Sequence, residues 1–155
     1  MKILLAVDGS AGSDVAVQQI IARPWPTGSE VKIISVVELL TTVTPENFWV
    51  PDNYYLHLDQ SLQEQARTAI DRAVAKFNEA ESQLAIRTEI INGVAKEVIV
   101  QEAERWEADL IVLGSHGHSG LRRFLFGSVS QAVLSQAHCS VEIVRQQEAQ
   151  EGAPS

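Results

Sequence analysis

The sequence predicts an α/β fold: a five-stranded parallel sheet, doubly wound, in three α/β/α layers. Three observations carry this prediction. The chain has 155 residues, enough for one domain with a real core and leaving little room for a second. Its strongest apolar runs are short and continuous rather than alternating, as strands buried on both faces require. Segments of helical periodicity separate most of them, giving the order β-α-β-(loop)-α-β-α-β-α-β, which right-handed crossovers wind into a sheet covered on both sides.

The first strand is Ile3 to Val7 (ILLAV). The opening MKILLAVDGS is too short in its apolar part for a signal peptide and is expected to be this strand. After the Gly9-Ser10 turn, Val17, Ile20 and Ile21 mark a helix over Asp14–Ala22, which Arg23-Pro24-Trp25-Pro26 ends. Val31 to Val37 is the second strand. Glu38 to Leu56 is irregular, with Pro45, Phe48, Trp49, Pro51, Tyr54 and Tyr55; its aromatics suit a lid, an interface or a cover over the domain's own helices. His57 to Ala80 is the clearest helix, its stripe running through Leu58, Leu62, Ala66, Ala69, Ile70, Ala73, Val74 and Phe77. Ala85 to Ile91 is the third strand, turned at Asn92-Gly93 into a helix from Val94 to Trp106. Leu110 to Leu113 is the fourth strand. Ser128 starts the last helix, with Gln131 placed for a capping box, and Val141 to Val144 is the fifth strand. The expected organisation is one domain over residues 1–145 and a flexible polar tail over 146–155.

Composition narrows the function. Twenty acidic against 12 basic side chains give a net charge of −8, which repels nucleic acid and anionic membrane surfaces but does not forbid a small anion held by local backbone groups. The single cysteine, Cys139, excludes an intrachain disulfide and, with no spaced partner beside His138, is expected to be a buried structural thiol. No run approaches the roughly 18 apolar residues of a membrane span, so a soluble cytoplasmic protein is expected.

In a doubly wound sheet a ligand sits beyond the carboxyl ends of the strands. After the fourth strand comes Gly114-Ser115-His116-Gly117-His118-Ser119-Gly120, then the basic pair Arg122-Arg123, then Gly127-Ser128 opening a helix. Glycines let successive N–H groups face an anion, and a helix start adds unpaired N–H groups and a favourable dipole. Arg122 or Arg123 can neutralise phosphate charge; Ser128 can cap its helix or donate to a phosphate oxygen. Asp8 can accept from a ribose or base edge, or cap the following helix. Gly93 allows close approach of a ligand, or a positive φ. His116 and His118 could line the triphosphate region or bind metal; with no ligand spacing to the other two histidines, they are expected to face solvent rather than a metal. Asp8, Asp109 and loop glutamates could attend Mg²⁺, but no constellation compels it. A Walker lysine motif is absent, as is the dinucleotide Gly-x-Gly-x-x-Gly after the first strand. With no catalytic base evident, binding without efficient turnover is expected.

Gly114, Gly117, Gly127 and Ser128 match glycine, two residues, glycine, nine residues, glycine and serine. On that spacing, and on the opening KILLAVDGS, the chain resembles the ATP-binding subgroup of the universal stress protein family over about residues 1 to 145. The resemblance implies an adenine nucleotide alpha hydrolase-like fold and a bound ATP, AMP or ADP, with Mg²⁺ as an optional companion; related members also bind cyclic AMP. It implies that Asp8 contacts the adenosine, that Val36 (with Val37 as the adjacent alternative) and Leu113 line the base pocket, and that Gly93 and Ala95 approach the nucleotide. It places Ser115, His116, Ser128 and Val129 near ribose or phosphates, beside Gly114, Gly117, Gly127 and Arg123. It implies a homodimer through the last strand, where Ser140 replaces the family's usual proline and Glu142 an apolar residue. Glu142 is then expected to reach solvent or meet a basic group, for instance across the dimer axis. The function implied is a nucleotide-binding stress-response sensor or regulator acting on an unidentified protein partner. The alternatives are a slow ATPase or phosphotransferase, and a dimeric adaptor with a vestigial pocket.

Overall fold

β1 (Lys2–Ala6) is the central strand of a five-stranded parallel sheet in the computed structural model, which describes residues 1–39, 51, 53–117 and 126–146. Ile3, Leu4 and Leu5 are fully buried, as a continuous apolar run demands between two helical layers. α1 (Ala11–Ile21) begins ahead of the expected Asp14 because Ser10 caps it, its side chain accepting from the Ser13 N–H at 3.2 Å. The helix stops before Pro24, and Trp25 folds back to donate its indole N–H to Ile20 O at 2.8 Å.

β2 (Glu30–Val37) pairs in parallel with β1 from Lys2↔Glu30 to Ala6↔Ile34. α2 (Tyr54–Glu79) starts earlier than the expected His57, so Tyr54, Tyr55 and Leu56 form an exposed first helical turn rather than the end of an irregular loop. Only the stripe from Ala66 to Phe77 is buried; Leu58 and Leu62, nearer the amino end, are half-buried. The loop's Pro45, Phe48 and Trp49 lie outside the described residues, as does the tail beyond Gln146.

β3 (Ala85–Asn92) pairs with β2, α3 (Ala95–Arg105) follows, and β4 (Leu110–Gly114) returns beside β1. α4 (Ser128–Gln136) precedes β5 (Ser140–Val144), which pairs with β4. The strand order is β3-β2-β1-β4-β5, so chain direction across the sheet reverses between β1 and β4. That switch point opens a crevice at the strands' carboxyl ends.

Alternate residues of each strand feed two cores. Ile3, Leu5, Val31, Ile33 and Val112 pack with Val17, Ile20, Ile70 and Phe77 under α1 and α2. Leu4, Ile34, Ile111 and Leu113 pack with Ile99, Val100 and Val133 under α3 and α4. Cys139 is half-buried against the second core, and desolvation pushes its thiol above the usual range. Glu142 meets a basic group, as expected, and finds it within the chain: the Arg23 guanidinium, exposed just past α1, grips both of its carboxylate oxygens, with one bond of 2.6 Å.

Candidate functional site

A cavity of about 620 Å³ lies at the β1/β4 switch point. Its floor is the upper surface of the second core: Ala6, Val36, Ile99, Leu113 and Val129 all line it. This part of the lining is apolar because Ala6, Val36 and Leu113, at or next to the carboxyl ends of their strands, belong to the core that α3 and α4 cover. An aromatic base fits such a surface without leaving a polar group unpaired.

The rest of the lining is mostly hydroxyls, glycines and helix starts. Ser10 and Ser13 come from the beginning of α1, Ala95 from the beginning of α3, and Gly127, Ser128 and Ser130 from the beginning of α4. Three helix amino ends therefore converge on one cavity, each contributing partial positive charge. Among the described residues lining it, Asp8 is the only carboxylate, and there is no lysine or arginine.

The described ends of the glycine loop after β4 are held by backbone bonds. The Ser115 N–H donates to Val144 O at 2.8 Å, and the Gly127 N–H donates to Ser115 O at 2.7 Å, so both ends of the loop close on one residue. The buried Ser130 hydroxyl donates to the same Ser115 carbonyl at 3.1 Å. α4 is capped by Gly127 rather than Ser128, and no side chain caps it; the expected Ser128–Gln131 capping box does not form because Ser128 is already the first helical residue. Its exposed hydroxyl stands at the cavity. Ser115 Oγ and His116 Nδ1 are 3.2 Å apart.

Asp8 does not cap α1, the role Ser10 takes; one of its carboxylate oxygens accepts from the Ser10 N–H at 2.9 Å. A Cβ placed on Gly117 would sit 2.6 Å from the other oxygen, so glycine lets the loop lie directly against Asp8. Gly12 does the same from α1: a Cβ there would meet His116 O at 2.7 Å, and one on Gly114 would meet the Gly12 carbonyl carbon at 2.6 Å. The first turn of α1 and the β4–α4 loop are thus in backbone contact.

Of the expected site residues, Asp8, Val36, Leu113, Gly114, Ser115, His116, Gly117, Gly127, Ser128 and Val129 all line this cavity. Gly93 does not; its φ of +147° turns the chain into α3, and Ala95 forms the wall there. Val37 is not in the lining, and Arg122, Arg123 and His118 lie outside the described residues. Asp109 cannot share a cation with Asp8: it accepts from the Lys2 N–H at 2.7 Å, at the amino ends of the strands. Among the described residues no three His, Cys, Asp or Glu side chains group as a metal site. Sequence reasoning missed Gly12, Ile99, Phe126 and Ser130. A helical stripe marks Ile99 as core, but only the sheet's end shows that it borders an opening. Phe126 lines the cavity, and the Arg145 guanidinium stands 5.2 Å above its ring.

Comparison with known proteins agrees with this fold. The universal stress protein family model matches residues 1–145. Universal stress protein MJ0531 of Methanocaldococcus jannaschii is 35% identical over 93% of this chain and 81% of its own length. Among solved structures, hypothetical protein MJ0577 superposes with a TM-score of 0.80 at 24% identity, covering 96% of this chain and 97% of that one. A universal stress protein family protein from Arabidopsis thaliana, solved with AMP bound, gives 0.67 at 19% identity over 95% and 92% of the two chains. A universal stress protein in complex with cAMP gives 0.55 at 22% identity over 93% and 95%.

Proposed function

Because the chain belongs to the universal stress protein family, we propose that it binds an adenine nucleotide in the cavity at the β1/β4 switch point. The observation that carries this reading is one cavity with two unlike kinds of lining: apolar core residues suited to a base, and a glycine loop with converging helix starts suited to phosphate. The AMP and cAMP complexes of related folds support an adenine ligand. In this reading Val36 and Leu113 hold the base and Asp8 accepts from the ribose. Gly114, Ser115, His116 and Gly117, with Gly127, Ser128 and Val129, surround the phosphates, and Arg123 adds positive charge. Gly93 shapes the approach to α3.

The protein then acts as a cytoplasmic stress-response sensor, a homodimer through β5 whose occupancy a partner reads. The domain comprises residues 1–145, followed by a polar tail. Calorimetric titration with ATP, AMP and cAMP tests the reading. Saturable binding of at least one is the expected result; folded protein that binds none overturns it. Mass spectrometry of the natively purified protein identifies which nucleotide travels with it.

A further inference from the structure

A helix amino end and a glycine loop stabilise a phosphate group, but a triphosphate brings further negative charge, which a cation in addition to Arg123 can meet; the described residues lining the cavity include no lysine or arginine. Arg145 stands next to that lining. It follows β5, whose last residue is fastened to the glycine loop by the 2.8 Å bond from the Ser115 N–H to Val144 O. Its guanidinium is 5.2 Å from the centre of the Phe126 ring. Phe126 lines the cavity and directly precedes Gly127 and Ser128, the amino end of α4. A guanidinium laid on an aromatic face is held by that face while its N–H edge stays available to oxygen acceptors. The arrangement sets a cation beside the phosphate end without burying it.

Resting on the nucleotide reading above, we propose that Arg145, positioned by Phe126, meets the outer phosphates of a nucleoside triphosphate and makes the site prefer ATP over AMP. The monophosphate ends at the glycine loop and the start of α4; the added phosphates extend to the rim where Arg145 waits. The preference is electrostatic and therefore weakens with added salt.

The test compares ATP and AMP dissociation constants by calorimetry for the wild-type protein, Arg145→Gln and Arg145→Lys, with circular dichroism confirming the fold of each. Loss of one charge-assisted contact predicts that Arg145→Gln weakens ATP roughly tenfold while AMP changes less than about twofold. Arg145→Lys, which keeps charge but not the planar fork, falls between the two. Raising salt lowers ATP affinity more for the wild type than for Arg145→Gln. An Arg145→Gln protein that keeps the wild-type ATP-to-AMP ratio, whether by losing neither or by losing both equally, overturns this assignment and leaves the nucleotide reading standing. Wild-type protein that binds neither nucleotide overturns both.

Discussion

Gly114 and Gly117 belong to one sequence pattern, yet each is glycine for a different reason. A Cβ on Gly114 would strike the backbone of Gly12 at 2.6 Å, and neither helix nor loop can retreat without opening the fold. A Cβ on Gly117 would strike only an oxygen of the Asp8 carboxylate, whose side chain is exposed. Gly114→Ala is therefore expected to destabilise the protein by about 1–3 kcal/mol, the usual cost of overpacking. Gly117→Ala is expected to stay within about 0.5 kcal/mol of wild type but to weaken adenosine binding by displacing Asp8. Thermal melts and nucleotide titrations on the two variants separate the effects; equal destabilisation would remove the distinction. The motif's spacing was legible in the sequence. Its division of labour was not, because Gly12, the partner in contact, lies far along the chain from Gly114.

Between elements, an ion network joins β2, β3 and α3. Lys32 is buried and pairs with Glu89 and with Glu102, which is 4% exposed; Arg105 also holds Glu102, at 2.7 Å through its Nε. Burial alone pulls the Lys32 pKa down, but its bonds to Glu102 and Glu89 outweigh this and raise it above the ordinary 10.5. The Lys32 hydrogen bond holds Glu89 below the ordinary 4.5. The Lys32 contribution is thus complete below pH 10.5 and is lost as pH rises through its raised folded value. The Glu89 contribution is complete above pH 4.5 and is lost as pH falls through its depressed folded value. Lys32→Met should cost about 3 kcal/mol, the low end for breaking a buried pair because Arg105 still holds Glu102. It should also flatten both limbs of the stability–pH curve, measured by urea unfolding between acid and alkaline pH. A cost below about 1 kcal/mol with unchanged limbs would show that the network contributes little. Nothing in the run VKIISVV announces this network, since a lysine in a buried strand makes sense only once Glu102 is seen to face it.

For the whole molecule, the nucleotide reading predicts that ligand and fold are linked. A nucleotide that binds only the native state, present at about 100 times its dissociation constant, adds roughly 2.7 kcal/mol of stability. The expected observation is a melting temperature that rises with ATP concentration and stays unchanged with inorganic phosphate at the same ionic strength. The sequence by itself determined the elements and their order, because a continuous apolar run and a helical stripe are local patterns that each report the burial of their own segment. It also determined the glycine spacing at Gly114, Gly117 and Gly127 and pointed to the strand ends where the cavity lies. Element ends moved where a neighbouring cap decided them, as at Ser10 and Gly127. Only the tertiary structure decided that β1 and β4 adjoin, that Gly12 lies against the loop, that Arg23 neutralises Glu142, and that Arg145 stands on Phe126. These pairings join residues distant in sequence, and a local pattern carries no information about which distant segment it will meet.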